Sequence, residues 1–188
     1  MITKILRRVA VAVTILLLGS GAVFAQHTLS QEPALHSLSK MTDRSFAKQA
    51  AWGSMAQVKF GQLAENKGDT EIVKDFGMKM VSDYGKALSK LKSAASQDKM
   101  TLPNRLSLRG QQIYDRLSKL SGASFDRTYA HEMVGYQERA MAEFRQEAQY
   151  GKKAAVKRFA AKMIPILRED STLAYRLERQ VANDRHSG

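Results

Sequence analysis

Residues 72–95 read IVKDFGMKMVSDYGKALSKLKSAA, and this stretch decides the fold of the chain. Its apolar side chains recur at spacings of three and four residues, which is the pattern of an amphipathic α-helix with one buried face. They are Ile72, Val73, Phe76, Met80, Tyr84, Ala87, Leu88, Leu91 and Ala95. Strand-type alternation is missing from the rest of the chain, and only three prolines interrupt it. The sequence therefore predicts an all-α protein.

Three further long helices and one short helix follow from the same periodicity. The first long helix is expected to begin at Asp43, as its N-cap, and to end at Gly68. Ser124 is expected to cap the fourth helix, which Gly151 ends. The short helix lies in the connection between the second and fourth helices.

The two halves of the helical region contain similar sequence segments. Residues 73–81 (VKDFGMKMV) resemble residues 156–164 (VKRFAAKMI), and each segment lies in the second helix of a hairpin. The two hairpins are expected to span residues 42–99 and 123–181. This half-repeat predicts a ferritin-like four-helix bundle with a short extra helix in the connection.

The N-terminus reads as an export signal. A basic start is followed by an apolar run and then by Val23-Phe24-Ala25, which has small residues at the positions that signal peptidase reads. Cleavage between Ala25 and Gln26 is expected, whereas an uncleaved membrane anchor is the alternative. The predicted organisation is a signal peptide at 1–25, a flexible leader at 26–41, the bundle at 42–181 and a disordered tail at 182–188. The predicted location is the periplasm or the extracellular space, with peripheral outer-membrane association as an alternative.

Composition limits the chemistry of the chain. It contains no cysteine, which excludes disulfides, thiolate metal sites and cysteine nucleophiles. Its net charge is +12, which favours contact with anionic partners as well as solubility. The basic residues cluster before and within the first turns of the fifth helix, at Lys152, Lys153, Lys157, Arg158 and Lys162. No base-recognition motif accompanies them, so we expect no specific nucleic acid. The partner is unknown from the sequence, and an anionic membrane surface and an envelope protein are the candidates.

The chain resembles the exported ferritin-like family catalogued as domain of unknown function 4142, whose members are often labelled outer membrane proteins. The resemblance covers residues 43 to about 178. It depends on residues 46–51 (FAKQAA), 117–129 (LSKLSGASFDRTY) and 165–169 (PILRE), among other matches. It implies a ferritin-like bundle in the cell envelope but no activity, because none is assigned to the family.

The chain departs from the family where metal ligands would be expected. Family members commonly carry histidine at the positions of Tyr84, Tyr136 and Asp170, and glutamate at the position of Gln57. No Glu-x-x-His motif of a di-iron bundle occurs in the chain, and His131 is the one histidine expected within the bundle. The resemblance therefore implies that most ligands of such a site are lost, and we expect no cofactor.

The same four positions suggest a different arrangement. Gln57, Tyr84, Tyr136 and Asp170 are expected on the apolar stripes of four different helices. Buried polar groups need hydrogen-bond partners, so the hypothesis is a central network in which Asp170 accepts from one or both tyrosines. The alternative is that some of these side chains reach the surface.

Three functions follow as expectations. The first is a non-enzymatic envelope protein of unknown ligand with a stress-related or interaction role. The second is a ferritin-like metal-binding oxidoreductase. The third is a binder of anionic lipid or lipopolysaccharide surfaces through the basic cluster.

Overall fold

The computed structural model describes residues 41–183, which form five α-helices and contain no strand. The helices are α1 (Asp43–Lys67), α2 (Glu71–Gln97), α3 (Leu108–Ser118), α4 (Gly122–Tyr150) and α5 (Ala154–Asn183). This confirms the all-α prediction. The expected signal peptide with its Ala25–Gln26 cleavage site, nearly all of the expected leader and residues 184–188 of the expected tail lie outside the described residues. Helix α5 extends two residues beyond the expected end at 181.

The four long helices form two hairpins, because α1 packs on α2 and α4 packs on α5. Between the hairpins, α2 contacts α5 and α1 contacts α4. At one end of the bundle, Asp98 after α2 accepts the N–H of Val156 near the start of α5 at 2.9 Å. At the other end, Asp126 near the start of α4 accepts the N–H of Thr70 before α2, also at 2.9 Å. The connection that contains α3 therefore returns along the bundle.

The N-cap of α1 differs from the predicted one. Thr42, rather than Asp43, is the N-cap, and it forms a reciprocal capping box with Ser45. Asp43 is instead used across the bundle, where one of its carboxylate oxygens accepts the backbone N–H groups of Lys152 and Lys153 at 2.6 and 2.8 Å. The first turn of α1 thereby holds the start of α5.

The start of α4 also differs from expectation. The helix begins after Ser121, with Gly122 in the left-handed region at φ +57°. Ser124 already lies inside the helix, where its carbonyl accepts the hydroxyl of Thr128 at 2.8 Å. Asp126 follows Gly122 by four residues and lies next to the residues that precede α2.

Two glycines set the distance between α1 and α2. A Cβ atom added to Gly61 would lie 2.6 Å from the carbonyl oxygen of Gly77, and one added to Gly77 would lie 2.8 Å from that of Gly61. The helices therefore touch through their backbones at this crossing. Among residues 41–183, no helix combines the length and the hydropathy that crossing a membrane requires.

Candidate functional site

A lysine lies among three carboxylates between α2 and α5. The Nζ atom of Lys79 is 2.8 Å from Asp83, 3.1 Å from Glu169 and 3.3 Å from Asp170. Burial alone would lower the pKa of Lys79, but its hydrogen bond to Asp83 and the carboxylates of Glu169 and Asp170 outweigh burial and raise that pKa. The ammonium therefore stays charged and holds the acidic groups together. We refer to these four residues as the ammonium cluster.

Asp170 is the buried member of the ammonium cluster. Its side chain is 0% exposed, and neither of its carboxylate oxygens accepts a well-formed hydrogen bond within the described part of the chain. Burial raises the pKa of Asp170 to about 6, although attraction by Lys79 opposes this shift. The carboxylate thus depends on Lys79 for compensation of its charge.

A hydrogen-bonded chain of buried side chains lies beside the ammonium cluster. The hydroxyl of Tyr84 donates to Oε1 of Gln137 at 2.8 Å, and Nε2 of Gln137 contacts the sulfur of Met80 at 3.6 Å. Burial is the largest cause that raises the pKa of Tyr84, and the negative charge of Asp170 raises it further. The phenol is therefore held neutral as a hydrogen-bond donor.

This arrangement differs in part from the hydrogen bonds expected at the bundle centre. The hydroxyl of Tyr84 donates to Gln137, and the carboxylate of Asp170 acts on the same phenol, so Gln137 rather than Tyr136 is the partner from α4. The buried positions of α4 recur every four residues from Phe125 through Tyr129 and Met133 to Gln137. That spacing was available in the sequence. Tyr136 lies one position away, half-buried and edge-on to Phe60.

Three of the four predicted residues meet in a different place. Gln57, Tyr84 and Tyr136 line one cavity of about 290 Å³ between α1, α4 and the start of α3. Gln57 is 1% exposed, and its Oε1 atom has no hydrogen-bond partner among residues 41–183. The cavity therefore contains an unsatisfied buried acceptor on its inner wall.

The outer part of the same cavity is aromatic and charged. Trp52 is half-buried there, and the exposed guanidinium groups of Arg109 and Arg139 lie at the rim. The guanidinium carbon of Arg139 is 5.0 Å from the ring centre of Tyr136. Glu143 also lines the cavity; burial raises its pKa, whereas the charge of Arg139 lowers it.

The predicted basic cluster is divided by the fold. Lys152 and Lys153 precede α5, and the Nζ atom of Lys157 donates to the carbonyl of Gln149 at 3.1 Å. Arg158 and Lys162 are exposed on α5 and line a groove of about 350 Å³ between α2 and α5. Lys90 from α2 adds a third cation to this groove, whose wall includes the apolar side chains of Ala94, Phe159, Met163 and Ile166. We refer to it as the basic groove.

His131 does not contribute to either interior site. It is exposed on α4, with its Nδ1 atom 3.0 Å from Oε1 of Glu178. Within residues 41–183, no three histidine, aspartate or glutamate side chains gather in an arrangement suited to a metal ion.

Comparison with known families agrees with the resemblance seen in the sequence. The sequence model of the family described as domain of unknown function DUF4142 matches residues 27–177, and the match begins earlier than the resemblance did. No curated protein and no solved structure is significantly similar to the chain. Because the match covers most of its length, the chain belongs to the DUF4142 family.

Proposed function

We propose that the protein is a non-enzymatic helical bundle of the cell envelope that acts through binding. The observation that carries the proposal is the ammonium cluster. A ferritin-type centre would place a metal ion among inward-facing carboxylates and histidines. Here the ammonium of Lys79 supplies positive charge to Asp83, Glu169 and Asp170 within 3.3 Å.

The other polar groups of the interior support the same view. Tyr84 and Gln137 satisfy one another, which is a structural use of buried polar groups. The pKa of Tyr84 is raised well above its ordinary value, so its phenol is a poor general base at neutral pH. These side chains favour one packing of the bundle rather than a reaction.

Location in the envelope rests on the N-terminal sequence. The basic start, apolar run and small residues before Gln26 form the three-part pattern of an exported protein. An epitope tag at the C-terminus and fractionation of the producing cells test this part. A tagged product in the soluble envelope fraction, shortened by the length of residues 1–25, is the expected result. An unprocessed product retained in the cytoplasm would contradict it.

Metal analysis tests the non-enzymatic part. The purified protein is incubated with ferrous iron, manganese or zinc, passed through a desalting column and measured for bound metal. We expect less than stoichiometric metal and no acceleration of ferrous iron oxidation. One or more equivalents of tightly bound iron or manganese, with faster oxidation, would favour the ferritin-like oxidoreductase instead.

The basic groove favours a second candidate function, the binding of anionic lipid or lipopolysaccharide surfaces. Its three cations line a partly apolar groove, which suits headgroups attached to acyl chains. Sedimentation with phosphatidylglycerol vesicles should then be steeply reduced by salt and absent with phosphatidylcholine. The triple change of Lys90, Arg158 and Lys162 to glutamine should abolish it.

A matched control keeps net charge equal. The triple change of Lys59, Lys119 and Arg179 to glutamine removes the same charge from exposed positions outside the groove. Equal loss of vesicle binding in both triple variants would mean that overall charge, rather than the groove, attracts the surface.

A further inference from the structure

The cavity beneath Trp52 has the features of a ligand site. Its inner wall carries the buried, unpartnered Oε1 of Gln57, its sides are aromatic and its rim carries two exposed guanidinium groups. Small-molecule sites combine apolar walls with a few polar groups in this way. An unsatisfied buried acceptor is unfavourable, and a ligand that donates to it removes that penalty.

One glycine of the cavity lining has open space beside it. Gly53 lies inside α1 and lines the cavity, and a Cβ atom added there would meet nothing within 4 Å. Helix packing therefore does not require this glycine, in contrast to Gly61 and Gly77. Glycine also disfavours a helix interior, so neither packing nor helix propensity accounts for Gly53, and the open space beside it belongs to the cavity.

The charges of the lining select the sign of the ligand. Arg109 and Arg139 bring two positive charges and Glu143 brings one negative charge, so the ionised lining is net positive. The guanidinium groups are exposed, which leaves their hydrogen-bonding edges available to a carboxylate. The inner wall, by contrast, presents the Oε1 acceptor of Gln57, which a neutral hydrogen-bond donor such as a hydroxyl can satisfy.

We propose that this cavity binds a small aromatic carboxylate whose ring carries a hydroxyl group. The hydroxyl donates to Oε1 of Gln57, the ring packs between Trp52 and Tyr136, and the carboxylate meets Arg109 and Arg139. A cavity of about 290 Å³ accommodates one such ring with its substituents. This inference names a ligand class for the non-enzymatic protein proposed above and rests on that proposal.

The fluorescence of Trp52 reports binding directly, because it is the single tryptophan of the chain. The full chain is titrated with para-hydroxybenzoate, benzoate and para-hydroxybenzamide, and calorimetry repeats each titration. We expect saturable binding of para-hydroxybenzoate. Benzoate, which lacks the donor, and the benzamide, which lacks the charge, should each bind about tenfold more weakly.

Variants then assign each contact. Gln57→Leu should weaken para-hydroxybenzoate about tenfold but leave benzoate unchanged, whereas the double change Arg109→Met and Arg139→Met should weaken both carboxylates. Gly53→Leu, which fills open space and leaves the core intact, should abolish binding of all three probes. The double change Arg145→Met and Arg179→Met, at exposed positions that line neither the cavity nor the basic groove, removes the same charge and should change nothing.

Several results would overturn the inference. They are the absence of saturable binding of any probe, equal affinity for benzoate and para-hydroxybenzoate, or unchanged binding in Gly53→Leu. Failure of the proposed non-enzymatic function would give different results. Chromatography of the titrated mixture would show chemical conversion of the bound probe, or metal analysis would show stoichiometric iron. The binding data would still support the ligand site in that case.

Discussion

The two similar segments, residues 73–81 and 156–164, differ in what surrounds their lysines. Lys79 in residues 73–81 lies within 3.3 Å of three carboxylates, whereas its counterpart Lys162 in residues 156–164 is exposed along the basic groove. The difference arises one turn later, where Asp83 corresponds to Ile166. The repeated lysine thus lies in two different surroundings, and residues that do not repeat, such as Asp83 and Ile166, create the difference.

The largest expected change in the free energy of unfolding distinguishes Lys79 from Lys162. Lys79→Met leaves Asp170 buried without a compensating charge, so we expect the free energy of unfolding to fall by about 3–5 kcal/mol. Lys162→Met changes an exposed side chain and should alter it by less than about 0.5 kcal/mol. Urea denaturation followed by circular dichroism measures both.

A double variant identifies the cause of that loss. Lys79→Met combined with Asp170→Leu replaces the buried pair with apolar groups and should recover most of the stability. If the double variant is as unstable as Lys79→Met alone, packing of the lysine stem rather than charge compensation is responsible.

The second effect compares two of the aspartates that join the hairpins. Asp126 is 2% exposed and accepts hydrogen bonds from both the N–H and the hydroxyl of Thr70 and from the N–H of Asp69. Asp43 accepts two backbone bonds and is partly exposed. Asp126→Ala should lower the free energy of unfolding by about 2–3 kcal/mol and Asp43→Ala by about 1 kcal/mol. Equal losses in thermal denaturation would mean that burial is not decisive.

The third effect compares the helix crossings of the two hairpins. At the place of Gly77, the second hairpin carries Ala160. Gly61→Ala drives a methyl group against the carbonyl of Gly77, so we expect a net loss of about 1–2 kcal/mol despite the better helix propensity. Gly85→Ala, where the added carbon meets nothing within 4 Å, should instead stabilise by about 1 kcal/mol. Stabilisation by both changes would show that the crossing relaxes easily.

The sequence predicted the helices and the hairpins because both follow from local periodicity and from the repeat. It also identified Asp170 as a buried acid and placed Gln57 and Tyr84 on buried faces, and these are buried in the structure. It missed Lys79, since a lysine beside an apolar stripe usually reaches solvent, and only the pairing of α2 with α5 brings Glu169 and Asp170 to it. Contacts between helices distant in sequence carry no periodic signal.

The last expected effect depends on pH and contrasts the two buried acids of α4. Asp126 is fully paired, but Glu147 is 2% exposed and its Oε1 atom has no hydrogen-bond partner among the described residues. Burial, followed by the neighbouring Asp43, raises the pKa of Glu147 from 4.5 to about 7. The folded protein therefore retains a proton at pH values where the unfolded chain has lost it.

The sign of the pH dependence follows from that retained proton. Stability due to Glu147 is complete below pH 4.5 and declines as the pH rises towards about 7, with a slope of at most about 1.4 kcal/mol per pH unit. Glu147→Gln keeps a neutral donor and should flatten this decline in urea denaturation measured across the range. Asp75→Asn, at an exposed position of α2, should leave the decline unchanged. Asp170, with its pKa raised to about 6, adds a decline of the same sign that begins at lower pH, so Asp170→Asn should remove a distinct part of the curve. A Glu147→Gln variant that retains the full decline would show that the carboxyl of Glu147 is already ionised in the folded protein.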